Sequence, residues 1–108
     1  MVRVRDHRQA AKELTRLPEP VRQVFEVVRS GLAESAYPEG MRETIARGRG
    51  PTRRVFMIWG TTYQRVTYRM AWEVRRAPPR SGLADEILVW KYGPHEGFYD
   101  RLWQRAEP

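Results

Sequence analysis

The sequence predicts an α+β fold: an N-terminal strand and helical hairpin packed on an antiparallel β-sheet, in the order β-α-α-β-β-β-α. Three observations point there. Apolar residues recur at helical spacing up to about residue 36, and beyond residue 53 the period switches to two. Between these halves Pro38, Gly40, Gly48, Gly50 and Pro51 exclude long regular structure. A chain of 108 residues is large enough for one core and too small for two, so residues 1–108 read as a single domain.

Val2 and Val4 alternate with Arg3 and Arg5, the pattern of a short first strand with one wet face. Asp6 then offers an N-cap with Gln9 three residues on, a capping-box spacing. Ala10, Leu14 and Leu17 share a face of a helix over residues 7–17, which Pro18 ends. Pro20 suits a first helical turn, and Val21, Val24, Phe25, Val28 and Leu32 form the apolar stripe of a second helix over 19–36. The Leu-Pro-Glu-Pro corner between them makes a hairpin.

Residues 41–46 fit at most one helical turn. Residues 53–59 read as a strand and Gly60-Thr61-Thr62 as a turn. In the next strand Val66, Tyr68, Met70, Trp72 and Val74 point to the core, while Arg65, Thr67, Arg69, Ala71, Glu73 and Arg75 point away. A loop over 77–82 leads to a last strand at 85–92. A short helix over 96–105 closes the chain, with Phe98, Leu102 and Trp103 packing back. With the helices on the apolar face, the cationic face of the sheet is left open.

The net charge is +7, and 18 of the 20 cations are arginines, with Lys12 and Lys91 the exceptions. Guanidinium forks match phosphate oxygens and stack on bases, so such a surface suits nucleic acid or an acidic protein partner. A GC-rich genome would enrich arginine equally. There is no cysteine, which excludes a disulfide framework and thiolate metal sites and fits a reducing compartment. No apolar run approaches the ~20 residues that span a bilayer. The charged start, Met1-Val2-Arg3-Val4-Arg5-Asp6, has no signal-peptide core. A cytosolic protein is expected.

The chain has no Ser-His-Asp arrangement, no Gly-rich phosphate loop before a helix and no histidine pair at ligand spacing; neither metal nor cofactor is expected. What remains is a sheet face bearing Arg65, Arg69 and Arg75, a last strand with Lys91, and His95 and Tyr99 just beyond it. That set suits RNA cleavage by the 2′-hydroxyl, which needs a base, an acid and cations on the phosphorane. A free imidazole is the side chain that ionises near neutrality, so His95 could be base or acid, or simply a turn residue. Arg69 either neutralises the phosphate or pairs with Glu73. Tyr99 either orients a group or stacks on a base, or belongs to the core. Arg42, Arg47, Arg49, Arg53 and Arg54 make a dense basic stretch that contacts either phosphate or solvent. His7 reads as a solvated helix residue.

Three segments resemble the RelE/ParE superfamily of toxins from type II toxin–antitoxin systems. The opening Val-Arg-Val-Arg-Asp-His-Arg-Gln-Ala-Ala-Lys-Glu-Leu-Thr-Arg-Leu-Pro is similar to that family's start. Tyr68-Arg69-Met70-Ala71-Trp72 resembles its Tyr-Arg-Val-x-Tyr strand, and residues 90–99 resemble its closing strand followed by Gly-His-(x)n-Tyr. The resemblance covers nearly the whole chain. It implies a microbial RNase fold that cuts mRNA in the ribosomal A site without a metal, restrained by an acidic antitoxin. It also implies catalytic roles for Arg69 and Tyr99 at the scissile phosphate, with His95 where relatives carry Arg, Lys or His. Arg53, Arg54, Arg65 and Lys91 are then the phosphate-binding set. Relatives place paired lysines ahead of the arginine strand; this chain has arginines there, and arginine cannot act as a base. Two alternatives share the scaffold: a ParE-like inhibitor of DNA gyrase, and a toxin-derived module that binds nucleic acid or protein without activity.

Overall fold

In the computed structural model, which describes residues 2–46 and 54–105, the elements are β1 (Arg3–Asp6), α1 (Arg8–Arg16), α2 (Glu19–Leu32), β2 (Arg42–Ala46), β3 (Arg54–Tyr63), β4 (Val66–Arg75), β5 (Glu86–Pro94) and α3 (Phe98–Gln104). The fold is α+β, with one more strand than the sequence predicts. The strands form one sheet in the order β1-β5-β4-β3-β2. It is mixed rather than antiparallel, because β1 lies parallel to β5, with Arg3 opposite Glu86 and Asp6 opposite Val89.

Residues 42–46 are an edge strand, not a helical turn: Arg42 pairs with Ile58 and Ala46 with Arg54. Their own sequence, Arg-Glu-Thr-Ile-Ala, gives little strand signal, and pairing with β3 decides the conformation. Gly60-Thr61-Thr62 does not turn either. β3 continues to Tyr63, and the hairpin closes through Gln64 and Arg65 at φ 48° and 68°. Two consecutive positive-φ residues match the twist of the flanking strands, a turn normally announced by Asn-Gly.

His7, not Asp6, caps α1. Its Nδ1 accepts the Gln9 N–H at 3.1 Å, and its ring lies 5.4 Å from Trp90, so a residue expected in solvent is 5% exposed. Asp6 remains in β1 and turns to α2, where Arg29 Nε donates to it at 3.0 Å.

Two cores flank the sheet. Ala10, Val21, Phe25 and Leu32 of the helical hairpin pack on Met70, Trp72, Ile87, Val89 and Tyr92. On the other face Phe98 and Leu102 of α3 pack on Phe56, Ile58, Ala71, Leu88 and Trp90. The face expected to be open is therefore partly covered, because α3 folds onto it. Arg69 lies at the margin of this core, its guanidinium 5.4 Å from the ring of Tyr99, which packs against it.

The β4–β5 register slips between Ala71, opposite Lys91, and Trp72, opposite Val89, so Trp90 is an extra residue bulged into β5. Beyond Val89, β5 has no strand on its β1 side. Glu13 of α1 accepts the Tyr92 N–H there at 3.4 Å, and Arg105 donates to Trp90 O at 2.6 Å. Glu13 also binds Arg105 at 2.7 Å and Lys91 at 2.8 Å, tying α1, β5 and the end of α3 together. Among the described residues no helix is long and apolar enough to cross a membrane.

Candidate functional site

β4 presents Arg69 on the face that α3 partly covers, at the margin of the second core. The residues paired with it on both sides are glycines: Gly60 on β3 and Gly93 on β5. In an antiparallel pair directly opposed residues share a face, so Arg69 stands in a trough with no side chain beside it on either neighbouring strand. A Cβ at Gly60 would sit 3.1 Å from Tyr68 O and 3.4 Å from Arg69 Cγ, whereas at Gly93 it would meet open space.

Tyr99 reaches this trough from α3. Gly97 at φ 68° makes the sharp entry into that helix, a conformation that favours glycine. The Tyr99 ring is braced by Phe98 at 5.6 Å and Trp103 at 5.8 Å. Its hydroxyl accepts a hydrogen bond from Arg69 Nη1 at 2.9 Å. Arg42 Nη2, from the edge strand, lies 3.5 Å from the same oxygen, a longer and weaker contact. The ring thus packs against aromatics while the hydroxyl accepts from a cation.

Two guanidiniums thus converge on one phenolic oxygen. Glu73, the carboxylate that the sequence offers Arg69, is committed elsewhere: it pairs with Arg75 at 2.8 Å and accepts from Trp90 Nε1 at 3.3 Å. Among the described residues neither Arg69 nor Arg42 forms an ion pair. Elsewhere Arg5, Arg29, Lys91 and Arg105 each hold a carboxylate. Local positive charge without a counter-ion, next to open space, favours an anion. Beside Arg42 and Arg69 opens a polar cleft of about 300 Å³, floored by Gly60 and walled by Thr62 and Thr67, whose hydroxyls lie 3.4 Å apart.

His95 follows β5. Its N–H donates to Thr67 O at 2.8 Å, continuing the ladder one step past Pro94. Alternation from Gly93 puts it on the Arg69 side, two residues further along, and the residue is exposed. Among the described residues its ring has no hydrogen-bond partner.

The remaining predicted site residues are dispersed. Arg65 is exposed in the β3–β4 turn, roughly 13 Å along the strand from Arg69. Arg54 lies on the same face about 20 Å down β3 from Gly60, its guanidinium 5.0 Å from the Trp90 ring. It packs the second core rather than the cleft. Lys91 is 5% exposed and bound to Glu13, because the Trp90 bulge carries it inward. Lys91, expected to bind phosphate, is thus held by a carboxylate in this fold. Arg53 lies outside the described residues.

Arg42 belongs to the basic stretch that the sequence marks for phosphate or solvent, but nothing local marks the edge strand that carries it to Tyr99. Gly60 and Gly93 did carry a signal: a glycine within a strand often marks close approach of a ligand or backbone. No protein-family model matches the chain, and no curated protein or solved structure matches it.

Proposed function

We propose that this chain is a metal-independent endoribonuclease of the RelE/ParE kind, a toxin that cleaves ribosome-bound mRNA and is neutralised by an acidic antitoxin. The observation that carries the reading is the contact between Arg69 and Tyr99. Residues 30 apart, singled out by their chemistry and by the resemblance, meet at 2.9 Å in a trough with no counter-ion among the described residues.

The chemistry follows from that arrangement. Arg69 and Arg42 hold the non-bridging oxygens of the scissile phosphate and stabilise the added charge of the phosphorane. The 2′-oxygen attacks phosphorus and its proton passes to the His95 imidazole. The 5′-oxygen leaves with a proton from the hydroxyl of Tyr99, which the contact with Arg69 holds beside the phosphate. The products are a 2′,3′-cyclic phosphate and a 5′-hydroxyl.

The test is cleavage of a defined mRNA, with and without ribosomes and with a chelator present, followed by analysis of the new ends. Arg69→Ala and His95→Ala are each expected to slow cleavage by about 100-fold or more. Tyr99→Phe should do the same with the fold intact. Full toxicity of His95→Ala would remove the imidazole from the mechanism. Blocked supercoiling with translation unaffected would replace the nuclease reading by gyrase inhibition. A chain harmless when expressed alone would leave only a binding module.

A further inference from the structure

The cleft beside Arg42 and Arg69 has a second chemical surface besides its charge. β2 begins at Arg42, opposite Ile58, so β3 has no strand neighbour on that side from Trp59 to Tyr63. A two-residue hairpin closes on a pair that exchanges both hydrogen bonds, here Tyr63 and Val66. Bonded and non-bonded pairs then alternate, so Gly60 and Thr62 turn their N–H and C=O away from β4 toward the cleft. Among the described residues no backbone or side-chain group bonds them. The floor at Gly60 is free of a side chain, and the Thr62 and Thr67 hydroxyls stand beside it.

We propose that this cleft is a nucleotide subsite, in which the phosphate sits on Arg42 and Arg69 while the base lies over Gly60 and hydrogen-bonds to the free β3 edge. A nucleobase edge carries donors and acceptors in one plane, as a strand edge does, and the hollow above Gly60 admits its flat ring. The volume of about 300 Å³ is at the small end of ligand pockets, right for one nucleotide rather than a strand of several. The inference deepens the nuclease reading and rests on it for the phosphate. What it adds is that the base itself is read, by backbone groups.

Titration of the full chain with the four nucleoside 5′-monophosphates, ribose 5-phosphate and inorganic phosphate tests this. At least one nucleotide is expected to bind about tenfold more tightly than ribose 5-phosphate. Gly60→Ala narrows the hollow and should abolish that increment while ribose 5-phosphate still binds. Because its Cβ crowds Tyr68 O, a second variant is needed: Thr62→Pro removes the outward N–H at an edge position that tolerates proline. Arg69→Ala should weaken every ligand, inorganic phosphate included. If all nucleotides bind no better than ribose 5-phosphate, or if Thr62→Pro leaves the increment intact, the base subsite is wrong while the nuclease reading stands. If nothing binds, phosphate included, the subsite is overturned together with the phosphate role it borrows. Nucleotide binding without any mRNA cleavage would keep the subsite and remove the nuclease.

Discussion

Replacing Glu13 by glutamine should be among the most damaging single changes outside the apolar cores. Its carboxylate is shared by Lys91 at 2.8 Å and Arg105 at 2.7 Å, whose side chains are 6% and 9% exposed. Removing one partner of a buried ion cluster costs about 3–5 kcal/mol, because the charges left behind stay out of water. Glu13 is itself 21% exposed, so solvent recovers part of this and about 2–3 kcal/mol is the working figure. At roughly 5 °C per kcal/mol for a domain of this size, that is a Tm fall of about 10–15 °C. Urea denaturation followed by tryptophan fluorescence reads it as a lower midpoint at unchanged slope. The acid limb gives a second check. Burial alone would raise the Glu13 carboxyl, but the hydrogen bonds and charges of Arg105 and Lys91 outweigh it and hold it below its ordinary 4.5. In the unfolded chain it takes up its proton first as pH falls. Its contribution is therefore complete above 4.5 and lost as pH drops through the lower folded value. The difference between wild type and Glu13→Gln should shrink over that window. A cost under about 1 kcal/mol at neutral pH, or a difference that ignores acid, would show that the cluster does not hold α3 to the sheet.

Tyr92 governs the alkaline side. Burial pushes its phenol well above 10.0, with the Asp6 carboxylate adding to the effect and Arg29 opposing it. The unfolded phenol ionises near 10.0 and the folded one does not, so stability is complete below that pH and lost as pH rises beyond it. Tyr92→Phe should flatten this alkaline fall in a pH series of thermal melts. His7→Ala removes both the α1 cap and ring packing on Trp90, and should cost about 2–3 kcal/mol in chemical denaturation. His7→Asn should recover about 1 kcal/mol of that by restoring the cap alone. Trp72→Phe removes the Nε1 donor to Ala36 O at 3.0 Å and leaves a void in a fully buried site. It should lower stability by about 2 kcal/mol or more in the same assay.

The clearest sequence signals became the clearest elements. The alternation in β4 sends Tyr68, Met70, Trp72 and Val74 to the hairpin side as read, and Val21, Phe25 and Leu32 are the buried edge of α2. Val24 from the same stripe is 38% exposed, because the sheet meets only part of the arc. β2 and the far half of β3 were illegible for a common reason. A polar edge strand and a hairpin without Asn-Gly take their conformation from pairing, not from their own residues.

Local sequence determined which segments are helical, where the two-residue period starts and that the surface is rich in arginine, because periodicity and composition are properties of neighbours along the chain. Tertiary structure alone decided which arginines are spent. A one-residue bulge at Trp90 sends Lys91 inside to Glu13, pairing removes Glu73 from Arg69, and an edge strand brings Arg42 to Tyr99. Charge can be counted along a chain, but its neutralisation depends on distances between residues far apart in it, and only folding sets those.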